Sequence, residues 1–145
     1  IKLTRNKNLY ISLKNNDTFS DRLIILLFHF GFFLKIYKEE ISKEEAQKIF
    51  DFIIRQIELS IREIGYGDVS VNKKMKDYVN LFFSIIEKIE SWENLNKTQK
   101  FEMMAEFINI REENDLFVSY FDKYREFLLN NSLKIFTKDI FNFKF

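Results

Sequence analysis

Between Ser42 and Ile64 the chain reads SKEEAQKIFDFIIRQIELSIREI, and Ala46, Phe50, Ile53, Ile57, Ile61 and Ile64 recur at intervals of three and four. That spacing lines one face of a 3.6-residue helix and matches neither face of a strand. Lys48, Asp51, Arg55, Glu58 and Arg62 form the opposite stripe, so the helix must bury one side against neighbours. Ser42 and Glu45 have capping-box spacing at its start. With no proline and three glycines in 145 residues, little elsewhere interrupts such patterns.

The same signal recurs along the chain. Thr18 with Asp21 opens a helix predicted from about Thr18 to Glu39, apolar nearly all round and therefore central. A helix over about Asn72 to Glu93 sets Met75, Tyr78, Val79, Phe82, Ile86 and Ile89 against Lys73, Asp77, Asn80, Ser84, Glu87 and Ser91. After the polar turn ENLNKTQ, a shorter helix near Thr98 to Glu112 turns Phe101, Met104, Ala105 and Ile108 inward. Another, from about Asn114 to Asn130, runs through Phe117, Phe121, Tyr124 and Leu128, and RNKNLYISL makes one short helix before them all. In the final IFNFKF, Phe141, Phe143 and Phe145 alternate with polar residues, which suits an extended segment docked on the body or a mobile apolar tail, and docking is favoured because an exposed run invites aggregation. The expectation is an all-α single domain over 1–145, a bundle of about six helices with no β-sheet.

Composition narrows function mainly by exclusion. Hydrophobic residues at 46% and charged ones at 31% belong to a globular chain and not a disordered one. The 18 Phe and 6 Tyr have two readings, a core filled by AT-biased coding or a surface that grips apolar partners. A net charge of +1 provides no global field for nucleic acid, so no specific nucleic-acid partner is expected. The absence of cysteine removes disulfides, thiolate catalysis and cysteine-held metals. The chain opens at Ile1 and not at Met, which leaves room for a segment ahead of it. Its longest apolar run, LIILLFHFGFFL, is twelve residues, short of the roughly 20 a spanning helix needs.

Catalytic chemistry is thinly represented. The one histidine, His29, sits between Phe28 and Phe30, and no Glu-x-x-His pair or second histidine joins it. A hydrogen-bonded core histidine is the expectation, with a ligand or pH-sensing role as the alternative. Carboxylates fall at helix starts or on solvated stripes, and Gly65-Tyr66-Gly67 lacks the third glycine and preceding strand of a phosphate loop. No enzyme, metal or cofactor is therefore expected. Lys73, Lys74 and Lys76, placed in the first turn and a half of a helix, oppose its dipole, which leaves a solvated face or a contact with something anionic. Gly65 falls just past the last periodic residue, Ile64, where a left-handed glycine ends a helix. Gly67 would let the chain turn again before Ser70 or a neighbour caps the next one, with Asp68 within reach of Arg62.

The stretch RQIELSIREIGYGDVSVNKKMKDYVNLFFSI resembles the central signature of the ubiquinol-cytochrome c chaperone family. The matches are Ile61-Arg62-Glu63-Ile64-Gly65-Tyr66-Gly67-Asp68, then Val69-Ser70-Val71, then Lys73-Lys74-Met75-Lys76, then Phe82-Phe83. Upstream, DTFSDRLIILLFHFGFFLKI is similar to the family's Asp-Thr-x-x-x-Arg lead into an apolar helix, with His29 at the place of its Leu-His. The likeness spans about residues 4 to 90 and weakens over the last third. It departs at Gln56 and Ile57, where the family has an acid and Met, and at Ser84-Ile85, where the family has Gly-Arg.

The resemblance implies a non-enzymatic assembly factor without a cofactor. Such a protein binds newly made cytochrome b and helps it into the respiratory ubiquinol-cytochrome c reductase, at the matrix side of the mitochondrial inner membrane or, in a bacterial form, peripherally at the cytoplasmic side. A small partner protein, the ribosome or an anionic membrane surface would be further partners. Arg62, Glu63, Tyr66, Asp68, Lys73, Lys74, Lys76, Phe82 and Phe83 are the candidate contacts, with Gly65 and Gly67 shaping the loop. A second reading from another class is a helical small-ligand or lipid-binding domain with a Phe-rich pocket near His29.

Overall fold

The computed structural model describes residues 7–11, 13, 18–110 and 116–133. Over these residues the protein is all-α: α1 (Lys7–Ile11), α2 (Phe19–Tyr37), α3 (Lys43–Glu63), α4 (Asp68–Glu90), a 3₁₀ turn (Trp92–Asn94), α5 (Lys97–Ala105) and α6 (Leu116–Asn130). The only strand-like feature among them is an isolated antiparallel bridge between Leu13 and Ile110.

Both predicted capping boxes form. The Thr18 hydroxyl accepts from the Asp21 N–H at 3.1 Å and the Asp21 carboxylate accepts from the Thr18 N–H at 3.2 Å. Ser42 and Glu45 repeat the exchange at 3.2 and 2.8 Å. A third box, Asn96 with Gln99, starts α5 and lay unread in the polar turn ENLNKTQ.

Helix α2 is central, as its all-round apolar character requires, with Leu23, Ile25, Leu27, Phe28, Phe30 and Phe32 buried. Its main partner is α4, which also carries α3, while α6 packs on another side. Gly31 sets the approach of α2 and α4: a Cβ there would stand 2.8 Å from Ile89 Cδ1 and 3.6 Å from Ile85 Cγ2. Lys35 ties the same pair one turn further along α2, its Nζ donating to the Ile89 and Glu90 carbonyls at 2.8 and 2.9 Å and to Glu93 at 2.6 Å. A cation on the last free carbonyls of α4 satisfies acceptors that the helix itself leaves open.

The aromatic excess enters the core as ring stacks. Phe30 lies parallel to Phe82 with centroids 5.0 Å apart, and Phe50 stacks on Phe82 at 5.9 Å, joining α2, α4 and α3. On the α6 side Phe121 meets Phe28 and Phe32 at 5.5 and 5.6 Å. The sole tryptophan, Trp92, is edge-on to Phe32 at 5.1 Å and donates its indole N–H to Asp122 at 2.8 Å.

Several sequence expectations need correction. Helix α4 begins at Asp68, four residues earlier than Asn72, and Gly67 is its N-cap with no side-chain cap bond. Ser70 is therefore inside the helix. The β-branched step Val69-Ser70-Val71 reads as weak helix former, but the complete burial of Val71 outweighs that propensity. Helix α5 stops at Ala105, well short of Glu112, through turn bonds from the Phe107 and Ile108 N–H groups to the Met104 carbonyl at 3.1 Å. Ala105 is exposed, and so is Ile64 at 52%, both expected inward. The docked tail at Phe141, Phe143 and Phe145 lies outside the described residues.

Candidate functional site

The joint between α3 and α4 is where the glycines act, and they act differently. Gly65 has φ +100°, the left-handed region expected of it, and its N–H donates to the Arg62 carbonyl at 2.9 Å, closing α3. Gly67 has φ −71° and ψ 161°, ordinary extended backbone, and nothing lies within 4 Å of a Cβ at either position. The need for glycine is thus conformational at Gly65 and absent at Gly67.

Arg62 clamps the joint. Its Nη1 donates to the Asp68 carboxylate across the two glycines, and its Nε donates to Glu58 at 2.9 Å. Arg55 holds the other Glu58 oxygen at 2.8 Å. The hydrogen bond from Arg62, seconded by Arg55, holds the Glu58 carboxyl below its usual range, while the bonds to Asp68 and then Glu58 push the Arg62 guanidinium up. Asp68 at the first position of α4 also favours the helix dipole.

Outside this clamp the joint mixes apolar and basic surface. Ile64, Tyr66 and Val69 are exposed, Val69 at 86%, and the Lys74 Nζ stands 4.5 Å from the Tyr66 ring centroid. Ile64 and Val69 are not among the contacts expected from the sequence: Ile64 falls on the periodic apolar face of α3, and Val69 lies in the stretch expected as the turn before α4. Lys73 and Lys76 are exposed, and among the described residues neither forms an ion pair. Because α4 starts at Asp68, the lysines lie in its second and third turns, so they do not crowd its N-terminal dipole as the sequence implied. Glu63 is exposed on the last turn of α3. Beside the joint, Phe19, Ser20, Ile61, Ile64, Tyr66 and Tyr78 line a recess of about 200 Å³.

The structure gathers Arg62, Glu63, Tyr66, Asp68, Lys73, Lys74 and Lys76 at this joint but sets Phe82 and Phe83 apart, roughly 20 Å further along α4 at 1.5 Å per residue. Phe82 is 1% exposed and belongs to the core; Phe83 is 57% exposed on the rim of a separate groove.

His29 is the satisfied core residue the sequence favoured. Its Nδ1 is 2.7 Å from the Ile25 carbonyl and must donate, so Nε2 is the acceptor for the Tyr120 hydroxyl at 2.7 Å. Burial pushes its pKa from 6.5 down to about 4, opposed by the Ile25 bond. Tyr120, Phe121 and Tyr124 pack on its ring at centroid distances of 5.4, 5.0 and 4.8 Å.

No group of His, Cys, Asp and Glu among the described residues has the arrangement of a metal site, and none of the helices is long and apolar enough to cross a membrane. Compared with known proteins, the chain matches the family model described as Ubiquinol-cytochrome C chaperone over residues 12–94, more than half its length and including the whole joint. No curated protein and no solved structure matches it. On that match the chain belongs to the ubiquinol-cytochrome C chaperone family.

Proposed function

We propose that this protein binds newly made cytochrome b and holds it for assembly into the ubiquinol-cytochrome c reductase, without catalysing a reaction. The carrying observation is the joint itself: within the family-matched stretch, a clamped turn presents Ile64, Tyr66 and Val69 to solvent beside three lysines. Exposed apolar side chains are what an unassembled apolar client can meet, and lysines suit the anionic ribosome or membrane surface near which such a client emerges. A small partner protein would be accommodated on the same exposed face. The place of action is the inner membrane, on the matrix side in a mitochondrion or the cytoplasmic side in a bacterium.

The test is a gene deletion complemented by wild type or by a joint variant carrying Tyr66→Ser and Val69→Ser. Haem-loaded cytochrome b is expected to fall in the deletion strain with its message unchanged, and to return with wild type but not with the variant. Normal haem-loaded cytochrome b in the deletion strain overturns the client assignment. Full rescue by a folded joint variant overturns the assignment of the face.

A further inference from the structure

A second apolar surface lies away from the joint. Leu34, Ala46, Phe50, Phe82, Phe83 and Ile86 line a groove of about 390 Å³ between α3 and α4, with Lys43 and Gln47 at its edge. Its rim residue Phe83 is largely exposed, and an apolar trough of this kind is unfavourable in water unless something covers it.

The path of the chain indicates what does. After α6, the Tyr37 hydroxyl lies 2.8 Å from the Asn131 carbonyl, and the Leu133 N–H donates to Glu40 at 3.2 Å. Tyr37 is three residues past Leu34 and Glu40 is three before Lys43, both groove residues, so Leu133 is held on the turn that leads from α2 into the groove wall of α3. Twelve residues follow, KIFTKDIFNFKF, enough to extend roughly 40 Å, well beyond the length of such a groove. Six of them are Ile or Phe, and the alternation of Phe141, Phe143 and Phe145 with polar residues would put all three on one face if the segment were extended. Their charges are Lys134, Lys138 and Lys144 against Asp139, a basic excess. The helices beside the groove carry exposed acids, Glu44 and Asp51 on α3 and Glu87 and Glu90 on α4, the last two one turn beyond Phe83 and Ile86, interspersed with exposed Lys43, Lys48 and Lys88.

We propose that the C-terminal segment 134–145 docks in the α3/α4 groove of its own chain, seating its alternate phenylalanines on Phe50, Phe83 and Ile86 with its lysines toward the flanking acids. This segment then covers an apolar surface that would otherwise recruit other molecules. This assignment stands independently of what the joint binds.

Ala46→Cys puts the only thiol of the protein on the groove wall. In the full chain this thiol should react with a maleimide roughly tenfold or more slowly than in a protein that also carries Phe141→Ala, Phe143→Ala and Phe145→Ala, both retaining a cooperative thermal transition. Equal rates overturn the proposal. Protection that rises with protein concentration also overturns it, in favour of a second copy seated in the groove. A second arm leaves the phenylalanines intact: Gln47→Cys with Lys144→Cys should oxidise to an intramolecular disulfide, while Arg55→Cys with Lys144→Cys should not. Disulfide-linked dimers alone, or equal closure at both positions, would sink the assignment.

Discussion

His29 accepts a hydrogen bond from the Tyr120 hydroxyl at 2.7 Å, joining the middle of α2 to α6 across 91 residues of sequence. The bond exists only while the imidazole is neutral, because a protonated ring has no acceptor nitrogen. The unfolded chain takes up this proton near pH 6.5 and the folded chain near pH 4, so acid favours unfolding between those values. Stability contributed by the neutral histidine should be complete above pH 6.5 and fall by on the order of 3 kcal/mol toward pH 4, then level off for this group. Urea unfolding measured across that range tests it. In His29→Gln, which has no titrating ring, that part of the dependence should flatten.

Removing the donor should also be costly at neutral pH. Tyr120→Phe leaves Nε2 of His29 buried without the Tyr120 partner, a loss expected to be about 1–3 kcal/mol. Because the folded ring then loses an interaction specific to its neutral form, the acid sensitivity of the variant should shrink as well. A full-strength transition at wild-type urea concentration would show that the bond contributes nothing.

The two glycines of the joint should separate cleanly. Gly65→Ala forces a side chain into φ +100° and is expected to cost about 1 kcal/mol, although nothing crowds its Cβ. Gly67→Asp keeps an ordinary φ and adds an N-cap oxygen for the first free N–H groups of α4, which should stabilise by a few tenths of a kcal/mol. Thermal unfolding of the two variants side by side decides it: opposite signs are expected.

These residues also mark what the sequence could and could not convey. Thr18–Asp21, Ser42–Glu45 and the left-handed Gly65 obey rules confined to a few neighbouring residues, and they were legible. Arg62 meeting Asp68 was legible too, since six residues and a turn bring them together. The early start of α4 was not, because it depends on Val71 being buried by distant elements. Gly31 reads as an interruption of an apolar run, and only the packing of α2 on α4 shows that Ile89 leaves no room there for a side chain. Neighbouring Phe82 and Phe83 are alike in sequence and both stack on Phe50, yet they divide between core and surface, a choice set by the face of α4 that meets Phe30. Of the candidate site, the local turn was therefore readable, and its exposed apolar members Ile64 and Val69 were not.

Gly31 carries its own prediction. Gly31→Ala gains helix propensity of about 1 kcal/mol but sets a methyl 2.8 Å from the buried Ile89 Cδ1, so the net change should stay within about 1 kcal/mol. A larger side chain cannot be absorbed in this way. Gly31→Leu should cost several kcal/mol or abolish the cooperative transition, by driving α2 and α4 apart where Lys35 also joins them. Adding Ile89→Ala to Gly31→Ala should relieve less than Ile89→Ala alone costs, because only the clash at Cδ1 is removed. A double-mutant cycle measures that coupling.

The lysines of α4 test the joint as a recognition surface. Lys73 and Lys76 are exposed and unpaired among the described residues, and Lys74 stands over the Tyr66 ring, a contact of about 0.5–1 kcal/mol at an exposed site. Lys73→Glu, Lys74→Glu and Lys76→Glu together should therefore leave the thermal transition cooperative and lower its midpoint by a few degrees at most. The same reversal changes the charge of the surface by six units, which should largely abolish sedimentation with anionic vesicles or ribosomes at low salt if either is the partner. Raising salt should weaken the wild type toward the variant, since screened lysines lose the same attraction. Unchanged sedimentation with intact folding would leave Ile64, Tyr66 and Val69 as the binding elements of the joint, and loss of the cooperative transition would mean that the cluster holds the fold together.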